Sequence, residues 1–470
     1  MFKKLLVLFI FLFVNILPSI ADVDIIHPKQ KNLTINSSET YFIGNVQDGE
    51  CVFINSKLVP LWQNRFFVEM VPLKVGLNKI AVVSNHNGKA SRKIYLIKRN
   101  EIKKVEVVSS ENVSVKKPVY HKISDGILYA KTTNDFSTIR KKPVLGSNRV
   151  IDLPKDVILY LDSKKGDFYK IADVNEDYWV HKSIITEPVK VSKKIPVKIQ
   201  KIKKYSDKHY DYVKFFTSHP TFYNLKNNQD SVQLTIYGTE KADYVYTTDK
   251  MPIVFGYDAY YDDNNLILRL AKKPDNFDWD CPLKDVNIFI DAGHGGKEKG
   301  ALSPERTFEK DINLDIATKL IDLLKSDCAN VTYSRNEDEQ VDLYDRVKKA
   351  KKDDNFISIS IHCNSLPYGK NPFVRHGTEV HYYNDNAKEL SQIIIDNLSS
   401  DLNIKNNGIH RSSFAVVRQT NPISVLVEVA YLINPEEYIL LKNEDFRLQI
   451  AKSIKKSIEE YICKINIQDK

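Results

Sequence analysis

The sequence predicts a multidomain chain: three small all-β modules followed by an α/β domain with a mixed, mostly parallel sheet flanked by helices. Three observations predict it. The chain has 470 residues, too many for one core and enough for three or four domains. As far as about residue 280, apolar residues fall in short runs separated by turn signals, the texture of strands. From Val286 onward, strands alternate with stretches of helical period, which indicates a sheet covered on both faces. Composition agrees, with 42% hydrophobic residues and abundant tyrosine (25) and phenylalanine (21), as a β-rich chain requires.

The first element is an export signal. Lys3 and Lys4 precede an apolar run from Leu5 to Phe13, and Ser19-Ile20-Ala21 sets small residues at the first and third positions. That is a secretory signal peptide over residues 1–21, cut after Ala21. Asn15 and Pro18 interrupt the run, which is short for a spanning helix. The mature protein is therefore expected to be soluble and exported, in the periplasm or outside the cell. An exported chain without a recognition motif is a poor partner for nucleic acid, and a monomer is the favoured state.

Residues 22–100 read as a β-sandwich. Val52-Phe53-Ile54, Arg65 to Val68 and Asn78 to Val83 are separated by Asp48-Gly49 and Asn87-Gly88 turn signals. The segment resembles bacterial Ig-like modules. After a polar connector, residues 125–187 resemble a bacterial SH3-like barrel, on Ser137 to Pro143, Gly166 to Ile171 and Tyr178 to His181. Trp179 and Tyr178 are expected in its core. Residues 188–208 read as a basic linker: the net charge of +9 is concentrated at Lys190, Lys193, Lys194, Lys198, Lys201, Lys203 and Lys204. A solvated linker is the plain reading, and attraction to an anionic polymer the sharper one. A third β-rich module covers 209–280, read as a packing scaffold.

The α/β domain spans 284–466. Val286, Ile288 and Ile290 alternate in a strand that ends at Asp291. Ile312, Ile316, Leu320 and Leu324 mark an amphipathic helix. Strands follow at Val331–Tyr333, Phe356–Ile361, Glu379–Tyr383 and Val425–Val429. Helices are expected at Leu343–Lys352 and Leu390–Leu402, and through Phe446, Ile450, Ile454 and Ile458. In such sheets the active residues gather beyond the carboxyl ends of the strands.

Three polar groups occupy such positions: Asp291-Ala292-Gly293-His294-Gly295-Gly296, Ser360-Ile361-His362-Cys363-Asn364, and Leu426-Val427-Glu428-Val429. Glycines around His294 permit a sharp turn that leaves the imidazole unobstructed. A glutamate within an apolar strand needs a partner. Glu309 opens the amphipathic helix. Two histidines and one carboxylate leave a fourth position open, the pattern of a hydrolytic rather than a structural zinc. A further carboxylate nearby can accept the proton of a metal-activated water. The phosphate-loop spacing is absent from Gly293-His294-Gly295-Gly296-Lys297, so anion cradling has little weight there.

These residues resemble the zinc-dependent N-acetylmuramoyl-L-alanine amidases of the AmiC and CwlV kind. The resemblance covers about Val286 to Ile462. It rests on Ile290 to Gly296, Glu309-Lys310-Asp311-Ile312-Asn313-Leu314, Ser358 to Asn364 and Leu426-Val427-Glu428, in that order. It implies that His294, Glu309 and His362 bind Zn²⁺ and that Glu428 is the general base. The implied substrate is peptidoglycan, cut at the amide between the lactyl group of N-acetylmuramic acid and L-alanine. Asp291 and Asn364 are candidates for orienting the ligands. The β-rich module at 209–280 resembles segments found ahead of some such domains, and the basic linker then has anionic wall polymer as its candidate contact.

His376, His381 and His410 match no ligand position and read as structural or surface groups. Cys363 adjoins a ligand histidine, but neighbouring side chains in a strand point to opposite faces, so a metal role is not expected. The five cysteines form no CxxC pair. Export permits a disulfide, and spacing alone does not select one. The stretch from Ser365 to Thr378 is brief and loop-like, with no room for a long helical plug over the metal. Two rivals remain: a catalytically inactive wall-binding protein, and a zinc enzyme that cuts a peptide bond within the stem.

Overall fold

The computed structural model describes residues 23–101, 121–123, 126–146, 149–228, 231–249, 256–273 and 277–467. The signal peptide expected over 1–21 lies outside them, as does most of the polar connector. The chain divides into two compact units, one comprising Met1–Lys104, Pro304–Arg306 and Leu366–Arg375, the other the remainder.

In the first unit, Asp24–His27, Glu39–Asn45 and Phe66–Pro72 form a three-stranded antiparallel sheet. A five-stranded sheet is built around the hairpin of Gly76–His86 and Lys89–Arg99. Its turn is the Asn87-Gly88 pair, with φ of 51° and 79°, the left-handed values a two-residue hairpin turn needs. Phe42 and Phe67 from one sheet meet Val52, Ile80, Val82 and Ile97 from the other in a single core. This is a small two-sheet β module. Leu366–Arg375 belongs to it: the Tyr41 hydroxyl donates to the Leu366 carbonyl at 2.7 Å, and the His27 ring stacks on Tyr41 and on Tyr368. The sequence pattern offers no sign of that.

The second unit begins with β structure in place of two separate modules and a linker. Residues 188–208 carry strands at Val189–Val191 and Ile199–Ser206, the latter paired with Tyr210–Thr217. One hydrophobic cluster runs from Ala130, Leu161 and Tyr178 to Phe215, Leu234 and Leu268, so the segments expected as two domains share a core. Trp179 and Tyr178 are fully buried, as expected.

The α/β part has β1 (Asn287–Ala292), α1 (Glu309–Ser326), β2 (Asn330–Tyr333), α2 (Leu343–Lys351), β3 (Ile357–Asn364) and β4 (Thr378–Tyr382). It continues through α3 (Lys388–Leu402), β5 (Asn406–Arg411), β6 (Ile423–Tyr431), α4 (Pro435–Lys442) and α5 (Glu444–Ile467). The sheet order is β2-β1-β3-β6-β4-β5. All pairings are parallel except β4 with β6, so the sheet is mixed and mostly parallel. Ile312, Ile316, Leu320 and Leu324 are buried along α1, and Ile450, Ile454 and Ile458 along α5. Among the described residues no helix is long and apolar enough to cross a membrane.

Sheet register positions the functional residues. Asp291 of β1 lies beside Ser360 of β3, and His362 of β3 lies beside Glu428 of β6. Partners in register share a sheet face. The strands thus deliver His362 and Glu428 side by side at their carboxyl ends.

Candidate metal centre

His294 follows β1 in a tight turn and itself has a left-handed φ of 61°. Its neighbour Gly293 must lack a side chain, because a Cβ there would sit 2.3 Å from the His362 ring. His362 lies two residues before the end of β3, and Glu309 is the first residue of α1. The three converge: one ligand atom from each of His294, Glu309 and His362 lies within 4.8 Å of the others. Glu309 Oε1 is 3.2 Å from His294 Nε2 and 3.0 Å from His362 Nδ1. The two rings stand nearly perpendicular, 5.0 Å apart.

Glu309 is held from behind. Its Oε2 accepts from the Ala301 amide at 2.8 Å, and its Oε1 from the Cys363 amide and Asn313 Nδ2, both at 3.3 Å. Burial opposes its ionisation, but hydrogen bonds and charge from His294 and His362 hold the carboxyl well below the usual range. Burial also opposes the charged form of His362, and the contact with Glu309 outweighs it and raises the imidazole. The cluster therefore carries a fixed anionic oxygen between two nitrogens, a donor set suited to a divalent cation.

Glu428 is different. It is half-buried, its Oε2 is shielded from solvent without a hydrogen-bond partner, and its carboxyl is pushed up to about 7. Burial is the main cause, opposed by His362 and reinforced by Glu309 and Glu379. An orphaned buried carboxylate oxygen is costly unless a ligand, water or ion completes it.

Asp291 and Asn364 do not contact the ligands. Asp291 Oδ1 accepts from Arg346 Nη1 at 2.5 Å and Oδ2 from the Ser360 hydroxyl at 2.6 Å. Asn364 Oδ1 accepts from the Ser365 amide, a strand-end turn. His376, His381 and His410 lie outside the cluster: His376 meets Glu437, and His381 hydrogen-bonds Ser412. Cys363 is buried, and its amide donates to Glu309.

Two buried arginines absent from the sequence reading shape the turn. Arg346 donates to the carbonyls of Ala292 (2.7 Å) and His294 (2.6 Å), and Arg335 to those of Ala292, Gly293 and Lys310. Arg346 and Asp291 form a buried ion pair. Removing one partner leaves the other charge buried and unpaired. Arg346→Met is expected to destabilise the second unit by about 3–5 kcal/mol, measured by denaturant unfolding. A variant within 1 kcal/mol of the parent by the same measurement would mean that the pair does not hold the turn.

Residues 288–460 match the family model described as N-acetylmuramoyl-L-alanine amidase. The chain is 33% identical over 184 residues to the uncharacterized protein YqiI of Bacillus subtilis, covering 38% of this chain and 86% of that one. The chain belongs to the N-acetylmuramoyl-L-alanine amidase family. It is also 34% identical over 199 residues to the probable cell wall amidase LytH of Staphylococcus saprophyticus, covering 42% of this chain and 64% of LytH. Among solved structures, the N-acetylmuramoyl-L-alanine amidase of Clostridium difficile 630 is 33% identical and covers 38% of this chain and 97% of its own, with a TM-score of 0.36. The family-model match, residues 288–460, falls in the α/β part, where the His294, Glu309 and His362 cluster sits.

Proposed function

We propose that this amidase-family chain is an exported peptidoglycan hydrolase that uses Zn²⁺ to cut the amide between the lactyl group of N-acetylmuramic acid and L-alanine. The observation that carries the reading is the partnerless Oε2 of Glu428, whose strand position pairs with His362 of the His–Glu–His cluster. His294, Glu309 and His362 would hold the ion, and their donor chemistry fits it. Zn²⁺, when bound, polarises the scissile carbonyl and acidifies water. Glu428 accepts the proton of the attacking water at its carboxylate and returns it to the leaving nitrogen. Glu309, fixed by Ala301, Asn313 and Cys363, keeps both imidazoles in place. Asp291 acts at one remove, through Arg346 and the carbonyls of the His294 turn.

Export rests on Lys3, Lys4, the Leu5–Phe13 run and the Ser19-Ile20-Ala21 site. The exposed lysines of the Ile199–Ser206 strand offer a basic edge for anionic wall polymer. The two-sheet module and the barrel-like segment serve as wall-targeting parts in this reading.

The test is to digest purified peptidoglycan and label the new amino termini. Release of stem peptides beginning with L-alanine is expected. New termini within the stem would point to a peptidase, and binding without release to an inactive wall-binding protein.

A further inference from the structure

The cysteines are not equivalent. Cys363 is buried behind Glu309, and Cys51 and Cys463 are each partly covered. Cys281 differs, because its Sγ lies 3.4 Å from the carbonyl oxygen of Asp327, the residue before Cys328. The backbones also meet here: the Asp285 amide donates to the Cys328 carbonyl at 3.2 Å, and the Lys284 amide to that of Cys281 at 3.0 Å.

Cys328 occupies an unusual position for its residue type. It ends α1 with a left-handed φ of 61°, while the Cys328 amide bonds Lys325 and the Ala329 amide bonds Leu324. That is the helix-ending motif in which glycine is favoured, because a side chain is strained there. Capping accounts for the backbone but not for a cysteine. The thiol of Cys281 opposite does.

We propose that Cys281 and Cys328 form an intramolecular disulfide in an oxidising compartment. The ring it closes contains His294 and Glu309, and it ties the entry to β1 to the end of α1, the elements that carry those residues. The oxidant is a disulfide donor, either a small-molecule disulfide or an oxidised thiol–disulfide oxidoreductase. The exposed Cys328 sulfur, as thiolate, attacks one donor sulfur and expels the other as a thiolate. Cys281, deprotonated in turn, attacks the mixed disulfide at Cys328 and expels the second donor thiolate. Two electrons pass from the protein sulfurs to the donor, and the two thiol protons end on the donor thiols. The inference does not depend on the amidase reading.

The test equilibrates the full chain with excess oxidised glutathione, blocks and counts thiols after denaturation, and maps the digest without reductant. Three free thiols of the five and a linked Cys281–Cys328 peptide pair are expected. Cys281→Ser should show no cross-link, with Cys328 held as its mixed disulfide with glutathione, which the digest identifies by mass, and the other three thiols free. Oxidation should raise the Tm of the parent by roughly 5–10 °C and leave that of Cys281→Ser unchanged. Five free thiols in the oxidised parent, or linkage of either cysteine to a different one, overturns the proposal.

Discussion

Replacing Glu428 by Gln is expected to lower kcat by about 10²–10⁴-fold, the contribution of a positioned general base, while metal content stays at the parent level. Gln keeps the shape of the side chain and removes its capacity to take a proton. Glu428 lies beside His362 across β3 and β6, so the change reaches the reacting water without removing a ligand. Parent-like turnover would show that another group is the base. The same role sets a sign for pH. Glu428 must be ionised to accept a proton, so kcat/KM should fall as pH drops through the carboxyl's apparent pKa. Burial puts that near 7 in the metal-free chain, and a bound dication would move it lower. The acid limb of the profile is therefore expected at or below neutrality.

Replacing Glu309 by Ala is expected to remove both metal and activity. Glu309 is the only carboxylate of the cluster, touches both imidazoles, and is held by three hydrogen bonds from elsewhere in the chain. Groups that merely orient ligands cost about 10–100-fold in metal affinity when lost, so a lost ligand should cost at least about 100-fold. Equilibrium dialysis with Zn²⁺ measures this. Parent-like affinity in Glu309→Ala would place the ion elsewhere.

Much of the site was legible because its signals are local. A strand running out into Asp291-Ala292-Gly293-His294, a glutamate opening an amphipathic helix, and a glutamate inside Leu426-Val427-Glu428-Val429 each stand out against their neighbours. The parts that were missed depend on contacts distant in sequence. Arg335 and Arg346 look like ordinary surface arginines until the fold turns them onto the carbonyls of residues 292–294. Ile199–Ser206 read as a linker because almost every residue of that edge strand is exposed, so it lacks the apolar alternation that marks a half-buried strand. The shared core of the 125–187 and 209–280 segments was invisible for a related reason. Apolar periodicity shows which face is buried, but not against what. The attachment of Leu366–Arg375 to the N-terminal β module likewise depends on Tyr41 and His27, more than 300 residues upstream.

The most direct measurement takes zinc per chain and turnover on the same preparations of parent, Glu428→Gln, Glu309→Ala and chelator-stripped parent. The prediction is one zinc and full activity in the parent, one zinc and almost no activity in Glu428→Gln, and neither zinc nor activity in Glu309→Ala. The stripped parent should be inactive and regain full activity at one equivalent of Zn²⁺. Full activity in the stripped parent, or in Glu309→Ala without metal, would contradict a catalytic metal held by His294, Glu309 and His362.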